Sequence, residues 1–255
     1  MRYSSIFALM IAAATVSTAA RAEIILPGDL VAGLSQSELS ARWSKWAFSY
    51  PDGANPLQDT TGALSYLGDQ GSYFFLAGTF DPVAVTRSAT VFSDQYLFIP
   101  LAYALAMIPM FGDTEAAIRQ DAADTMGVVS NLSLKINGVE QPLPPPTTSL
   151  LDYLQTSPPG TFGVDFPAGA VFGIPEGTYQ SVSVGYWIAL KPLAPGNYQL
   201  HFTSRSDSTG PYQGDVYTQD VTYNLTVAVP EPAGVVLAGI AVLTIGACRM
   251  RRAVS

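Results

Sequence analysis

The last third of the chain alternates apolar and polar residues, and a sustained period of two admits little besides β-structure. The alternation runs through Tyr179 to Leu190, Tyr198 to Ser204 and Val216 to Val229, where Val221, Tyr223, Leu225 and Val227 share one face. Pro195-Gly196-Asn197 reads as the turn between the first two runs, and Ser206 to Gly214 as a polar loop with its tip at Gly210-Pro211. Apolar strand, Leu-x-Pro-Gly turn, apolar strand and a closing strand is a pattern met in immunoglobulin-like sandwiches. Upstream, strands are expected at Ser72 to Phe80, Val85 to Phe92 and Tyr96 to Leu101, with the short Asp94-Gln95 link suggesting a hairpin. Val128 to Ile136 and Val139 to Leu143 flank Asn137-Gly138, a strong hairpin turn signal. The expected fold is mainly β: an antiparallel β-sandwich, immunoglobulin-like or jelly-roll-like, with one or two packed helices. Pro144 to Ala170 is expected to cross irregularly, with a single helical turn from Ser149 to Leu154.

Ser35 to Tyr50 is the first helical stretch. Ser35 followed by Glu38 fits a capping box, Leu39, Trp43, Trp46 and Ala47 share a face, and Pro51 stops the helix. Exposed tryptophans would stack on sugar rings, so Trp43, Trp46 and Trp187 are candidate glycan contacts. A helix pinned to a sheet by its large apolar side chains is the favoured alternative. The second helical stretch, Asp113 to Met126, carries Asp121 and Asp124 three residues apart. A solvated acidic face is expected there, because a hard-cation site needs about six or more oxygens.

Charge narrows the partners. Between Glu23 and Val229 there are seven Lys and Arg against nineteen Asp and Glu, a difference of −12. Such a surface repels nucleic acid and anionic polysaccharide and suits neutral glycans, cations or basic partners. The sole cysteine, Cys248, and the sole histidine, His201, leave no disulfide in this segment, no cysteine nucleophile and no multi-histidine metal site. No metal or cofactor is therefore expected. No G-x-S-x-G elbow or phosphate-binding glycine loop occurs. Asp69, Asp94, Asp165 and Glu176 fall in expected loops, but no spacing selects a catalytic pair from them.

The two ends of the chain carry signals of a different kind. Met1 to Ala22 has Arg2 near its start, an apolar run from Ile6 to Val16, and Ala20-Arg21-Ala22 ahead of Glu23. That is the arrangement of a signal peptide cut by signal peptidase between Ala22 and Glu23. At the other end, Val229-Pro230-Glu231-Pro232 precedes an apolar segment from Ala233 to Cys248 and a basic stop of Arg249, Arg251 and Arg252. Prolines on both sides of Glu231 keep that peptide out of any helix. The apolar segment reads as a single transmembrane helix, somewhat short of the roughly 20 residues a span needs and extended by snorkelling arginines. This order of features resembles the PEP-CTERM sorting tail of exported Gram-negative proteins. The resemblance implies recognition by an exosortase, processing at or near Pro230-Glu231-Pro232, and a membrane association that lasts until processing. A plain tail anchor is the alternative. Trp43, Trp46, Asn55-Pro56, Asp59, Thr61-Gly62, Phe75 to Thr79, Arg87 and Phe98-Ile99-Pro100 are similar to an uncharacterised type of exported bacterial domain. That likeness implies a compact domain and carries no catalytic residue across.

The expected organisation is a signal peptide (1–22), an exported β-rich domain (23–228) and a sorting segment (229–255). The expected protein crosses the inner membrane of a Gram-negative bacterium and resides at the cell surface or in the extracellular matrix, without catalytic activity. A neutral-glycan module of the exopolysaccharide matrix and a carboxylate-dependent polysaccharide hydrolase are the two alternatives.

Overall fold

The computed structural model describes residues 22–80 and 82–231. The chain runs α1 (Gln36–Phe48), β1 (Tyr73–Phe75), β2 (Val85–Phe92), β3 (Tyr96–Met107), α2 (Glu115–Met126), β4 (Val128–Ile136), β5 (Val139–Glu140), β6 (Leu154–Thr156), β7 (Phe162–Phe166), β8 (Gly177–Leu190), β9 (Gly196–Asp207) and β10 (Val216–Ala228). The fold is mainly β, with ten strands in two five-stranded sheets and two α-helices among the described residues. The first sheet has the order β1-β3-β8-β6, with β7 also on β8; the second has the order β2-β10-β9-β4-β5.

The sheets are mixed, which corrects the antiparallel expectation: β1 runs parallel to β3, and β2 parallel to β10. The reason lies at Asp94-Gln95, which forms a corner between sheets rather than a hairpin. Gln95 is buried and spends its side chain on the corner, accepting from Phe92 N (2.9 Å) and donating to Asp69 Oδ1 (2.7 Å) and Gly71 O (2.9 Å). With β3 sent to the other sheet, β2 takes the edge of β10 instead. The hairpin at Asn137-Gly138 forms as expected, both residues at positive φ, though β5 pairs over only two residues. Within 144–170 two strands appear where irregular chain was expected. β6 and β7 are three and five residues long, too short to print a period, and both complete the outer edge of β8.

Tyr96 to Met107 continues six residues past the strand end expected from its composition. Leu101-Ala102-Tyr103-Ala104-Leu105-Ala106 has little β-propensity, but pairing with β8 to Ser181 holds it extended. Pro100 cannot donate to a ladder, and a register shift follows it between Pro100 and Ala102. Gly185 lies across from this bulge, where a Cβ would meet Ala102 O at 2.6 Å. The bulge changes the parity of the strand. Before it, Leu97, Ile99 and Leu101 join Leu200, Phe202, Val221 and Leu225 of the second sheet in one core. After it, Ala102, Ala104 and Ala106 meet Ile118, Ala122 and Met126 of α2, small residues that let the helix approach closely. The opposite face of the first sheet, with Phe98, Trp187 and Ala189, packs on Leu39, Trp43, Trp46 and Ala47 of α1. The capping box that starts α1 is present, Glu38 N donating to Ser35 Oγ (3.2 Å) and Ser35 N to Glu38 Oε2 (2.9 Å).

The expected strand from Ser72 to Phe80 stops at Phe75, yet the chain stays buried through Thr79. Side chains replace the ladder there. Trp43 Nε1 donates to Leu76 O (2.8 Å), Ala77 N donates to the Tyr223 hydroxyl (3.0 Å), and Thr79 N donates to Gln219 Oε1 (3.1 Å). Arg87, 1% exposed, supplies the rest: Nη1 to Ala77 O (2.7 Å), Gly78 O (2.9 Å) and the Tyr223 hydroxyl (3.0 Å), and Nε to Asp59 O (2.5 Å). Its guanidinium also lies 5.5 Å from the centre of the Tyr223 ring. Among the described residues no carboxylate pairs with it; carbonyls and the Tyr223 hydroxyl take up Nε and Nη1, while Nη2 is buried without a hydrogen-bond partner. The carboxylate of Asp59 is used differently. Burial works against its charge, but the backbone N–H groups of Leu64 (2.8 Å), Thr61 (2.9 Å) and Gly62 (2.9 Å) outweigh that and hold its pKa below the usual range.

Replacing Arg87 by Met should strand the carbonyls of Asp59 and Gly78, Ala77 O keeping the Tyr223 hydroxyl, and cost at least about 2 kcal/mol, measured by urea unfolding; a loss under about 1 kcal/mol would remove Arg87 from its assigned role. Because the folded pKa of Asp59 is depressed, its stabilisation is complete above the ordinary aspartate value of about 3.9 and is lost as pH falls through the folded value. Asp59→Asn should therefore be less stable at neutral pH and show a flatter acid limb, read from melting temperature against pH.

Candidate functional site

The residues singled out from the sequence fall into three groups. Trp43, Trp46 and Trp187 are all buried, the first two donating their Nε1–H to Leu76 O and Leu67 O (2.7 Å). Trp43 meets Trp46, Tyr103 and Trp187 edge to face at 5.7, 4.6 and 5.0 Å, and Trp187 stacks on Phe98 at 5.2 Å. No indole face is left open to a sugar, so the glycan contact expected of these three residues is corrected to core packing. Ala22 is buried and Glu23 exposed; Lys191 N donates to Glu23 O (2.9 Å) and Ile24 bridges Leu190. Val229 (64% exposed) and Glu231 stand beyond the last strand on the surface. Pro232, the apolar segment that follows it, and Arg249, Arg251 and Arg252 lie outside the described residues, as does the signal segment before Ala22. No helix among the described residues is long and apolar enough to cross a membrane.

The acidic residues do not converge. Asp69 caps its own turn at Gly71 N (2.9 Å), and Asp165 accepts from the Thr178 hydroxyl (2.5 Å) on the neighbouring strand. His201 Nε2 meets Asp220 Oδ1 at 2.9 Å across the β9/β10 ladder, both partly exposed. Asp121 and Asp124 face the β9–β10 loop rather than open solvent. Tyr212 donates its hydroxyl to Asp121, Thr209 N donates to Asp124 O (2.8 Å), and the Ser208 hydroxyl donates to Thr125 O (2.7 Å). The hydrogen bond to Asp121 is the main reason the Tyr212 phenol is pushed up to about 12. No cluster of three or more metal-ligating side chains occurs among the described residues.

Several concave surfaces occur among the described residues, and the two of about 590 and 550 Å³ are marked by no motif. The first is a cleft of about 590 Å³ where each sheet loses a strand. β1 covers the edge of β3 only at Tyr96 to Phe98, and β2 covers β10 only from Val221 onward. Past those points the end of β3 and the start of β10 diverge, and the ends of α1 and α2 close the sides. Phe48, Phe80, Tyr103, Phe172 and Tyr217 supply aromatic walls; Met107, Met110 and Met126 supply sulfur. Gln219 bridges the floor between the sheets, accepting from Thr79 N and donating to Leu101 O (3.1 Å). No charged side chain lines the cleft among the described residues. The Tyr103 phenol is held above its ordinary pKa by burial, so it stays a neutral donor.

The second is a shallower groove of about 550 Å³ on the outer face of the second sheet. Register sets Ser88, Asn224 and Gln199 in one row, and Thr90, Thr226 and Asn197 in the next, across β2, β10 and β9. Gln199 Nε2 donates to Asn224 Oδ1 (3.4 Å) and the Thr226 hydroxyl to Asn197 Oδ1 (3.3 Å), so the rows are linked by side-chain amides and hydroxyls. The alternation of β2 and β10 was the available signal for this grid, since it puts these polar residues on one face. Comparison with known proteins found no match to the chain in any family model, curated protein or solved structure.

Proposed function

We propose that the protein is an exported domain, cut between Ala22 and Glu23 by signal peptidase. In this reading an exosortase then processes it in the segment Val229-Pro230-Glu231-Pro232, leaving a non-enzymatic domain at the cell surface or in the matrix of a Gram-negative bacterium. The observation that carries the reading is where the chain leaves the fold. β10 makes its last pair at Ala228, and Val229 and Glu231 beyond it are exposed, with Pro230 half-buried between them, in chain of no regular structure that a protease can reach. Cleavage at Ala22 belongs to the unfolded chain during export, because that residue is buried once the sheet has formed. The sandwich class, immunoglobulin-like or jelly-roll-like, belongs to the same proposal; it is supported by the single apolar core shared between the two sheets. The apolar segment from Ala233 to Cys248 acts in this account as a temporary transmembrane anchor, with Arg249, Arg251 and Arg252 at the cytoplasmic side.

A second reading, a neutral-glycan module, is favoured by the amide and hydroxyl grid of the second sheet. Within each row the residues repeat at the interstrand spacing of about 4.8 Å, and uncharged donors and acceptors suit sugar hydroxyls on a domain whose net charge repels polyanions.

In a host with an active exosortase, the surface form should begin at Glu23 and lack the basic terminus, whereas Glu231→Ala should keep Arg249 to Ser255; intact-mass spectrometry reads both. A wild-type surface protein retaining that terminus would sink the sorting proposal. For the glycan reading, neutral polysaccharides should bind with an affinity that falls at least threefold in Asn224→Ala and Gln199→Ala, leaving tryptophan emission unchanged. Equal binding by both variants would exclude the grid.

A further inference from the structure

The two ends of the described chain gather at one pole of the domain, and the apolar cleft opens at the other. Ile24 bridges Leu190, which pairs with Leu97 at the start of β3; Ala228 O accepts from Ser93 N beside the same strand start. The cleft lies along the second half of β3, from Ala102 to Met107, about 17 to 33 Å from Leu97 at roughly 3.3 Å per residue. The start of β10, at Val216 and Tyr217, marks that same distal pole. A domain held by either terminus therefore presents the cleft outward.

Three features of the cleft select its occupant. Its lining carries no charge among the described residues, within a domain of strongly negative balance, so none of those residues gives an anion or a cation a partner. Its floor amide, Gln219, is already committed to backbone on both sides. The Tyr103 side chain lines the cleft, and its hydroxyl has no hydrogen-bond partner among the described residues. At the mouth stands Phe172, 70% exposed, packed edge to face on Phe80 at 4.6 Å, with φ +60° and ψ +14°. A bulky side chain in the left-handed region is held there against its own preference. Met110 and Tyr217 continue the exposed apolar rim. Such a volume lies within the roughly 300 to 1,000 Å³ of small-ligand sites and is lined as they are.

We propose that this cleft binds an uncharged lipophilic small molecule carrying one acceptor oxygen, which takes the hydrogen bond of Tyr103 while Phe172 closes over its apolar body. The site is independent of the sorting tail, and its test does not depend on processing.

The test uses the protein as cells export it, with Nile red as a neutral, carbonyl-bearing probe. One saturable site is expected, with 1-dodecanol displacing the dye and dodecanoate and dodecyltrimethylammonium failing to do so. Tyr103→Phe should weaken the probe about three- to tenfold, the factor of one ordinary hydrogen bond. Phe172→Gly should weaken it at least threefold while keeping or raising the melting temperature, because glycine accepts this φ without strain. That pairing separates loss of the site from loss of the fold. Displacement by dodecanoate equal to that by dodecanol, or unchanged affinity in both folded variants, would overturn the proposal. Dye uptake that appears only with self-association on raising protein concentration would also overturn it and assign the face to a second copy of the chain.

Discussion

A buried guanidinium without a carboxylate partner among the described residues holds this domain together. Arg87 reaches from β2 to three backbone carbonyls and a tyrosine hydroxyl, and in doing so ties the 55–64 loop, the buried segment after β1 and the last strand to one point. Carbonyl dipoles can satisfy an arginine, which has five fixed donors and cannot shed its proton. An orphaned buried group costs more than a hydrogen bond gains, and here Nε and Nη1 are taken up while Nη2 is left buried without a partner. Trp43, Tyr223 and Gln219 complete the same task, so a stretch with no ladder of its own is buried between two sheets without unpaired backbone along most of its length.

That substitution of side chains for a ladder has a geometric result. Because the chain after β1 leaves the edge of β3 early, and β2 covers only part of β10, the sheets part at one end. The bulge after Pro100 turns alanines toward α2 and leaves Tyr103 and Met107 on the other side. The cleft is thus a by-product of two short pairings and one register shift, lined by whatever those shifts expose. Its distance from both termini follows from the directions of β3 and β10.

Much of the secondary structure was legible in the residues. Ser35 with Glu38 marked the start of α1, Asn137-Gly138 marked a hairpin, and alternation marked β8, β9 and β10. The role of Arg87 was written less plainly: Val85, Ala89 and Val91 point inward, and the same parity puts the arginine inside. The local pattern fails where it is too short or contradicted by propensity. β6 and β7 form because β8 offers an open edge, and the second half of β3 stays extended because it is paired, neither of which is a local property. Asp94-Gln95 looked like a hairpin link because turn residues specify a reversal without saying which sheet receives the next strand.

The sequence alone determined that the chain is mainly β with one or two packed helices, and it carries the two terminal motifs from which export and sorting are proposed, since period, caps and terminal motifs are local quantities. Tertiary structure decided that two strand pairs are parallel, that all three tryptophans are core rather than contact residues, and that a cleft with no charged lining among the described residues and an amide grid form where they do. Those outcomes depend on which distant segments meet, and burial, register and concavity arise only from that meeting.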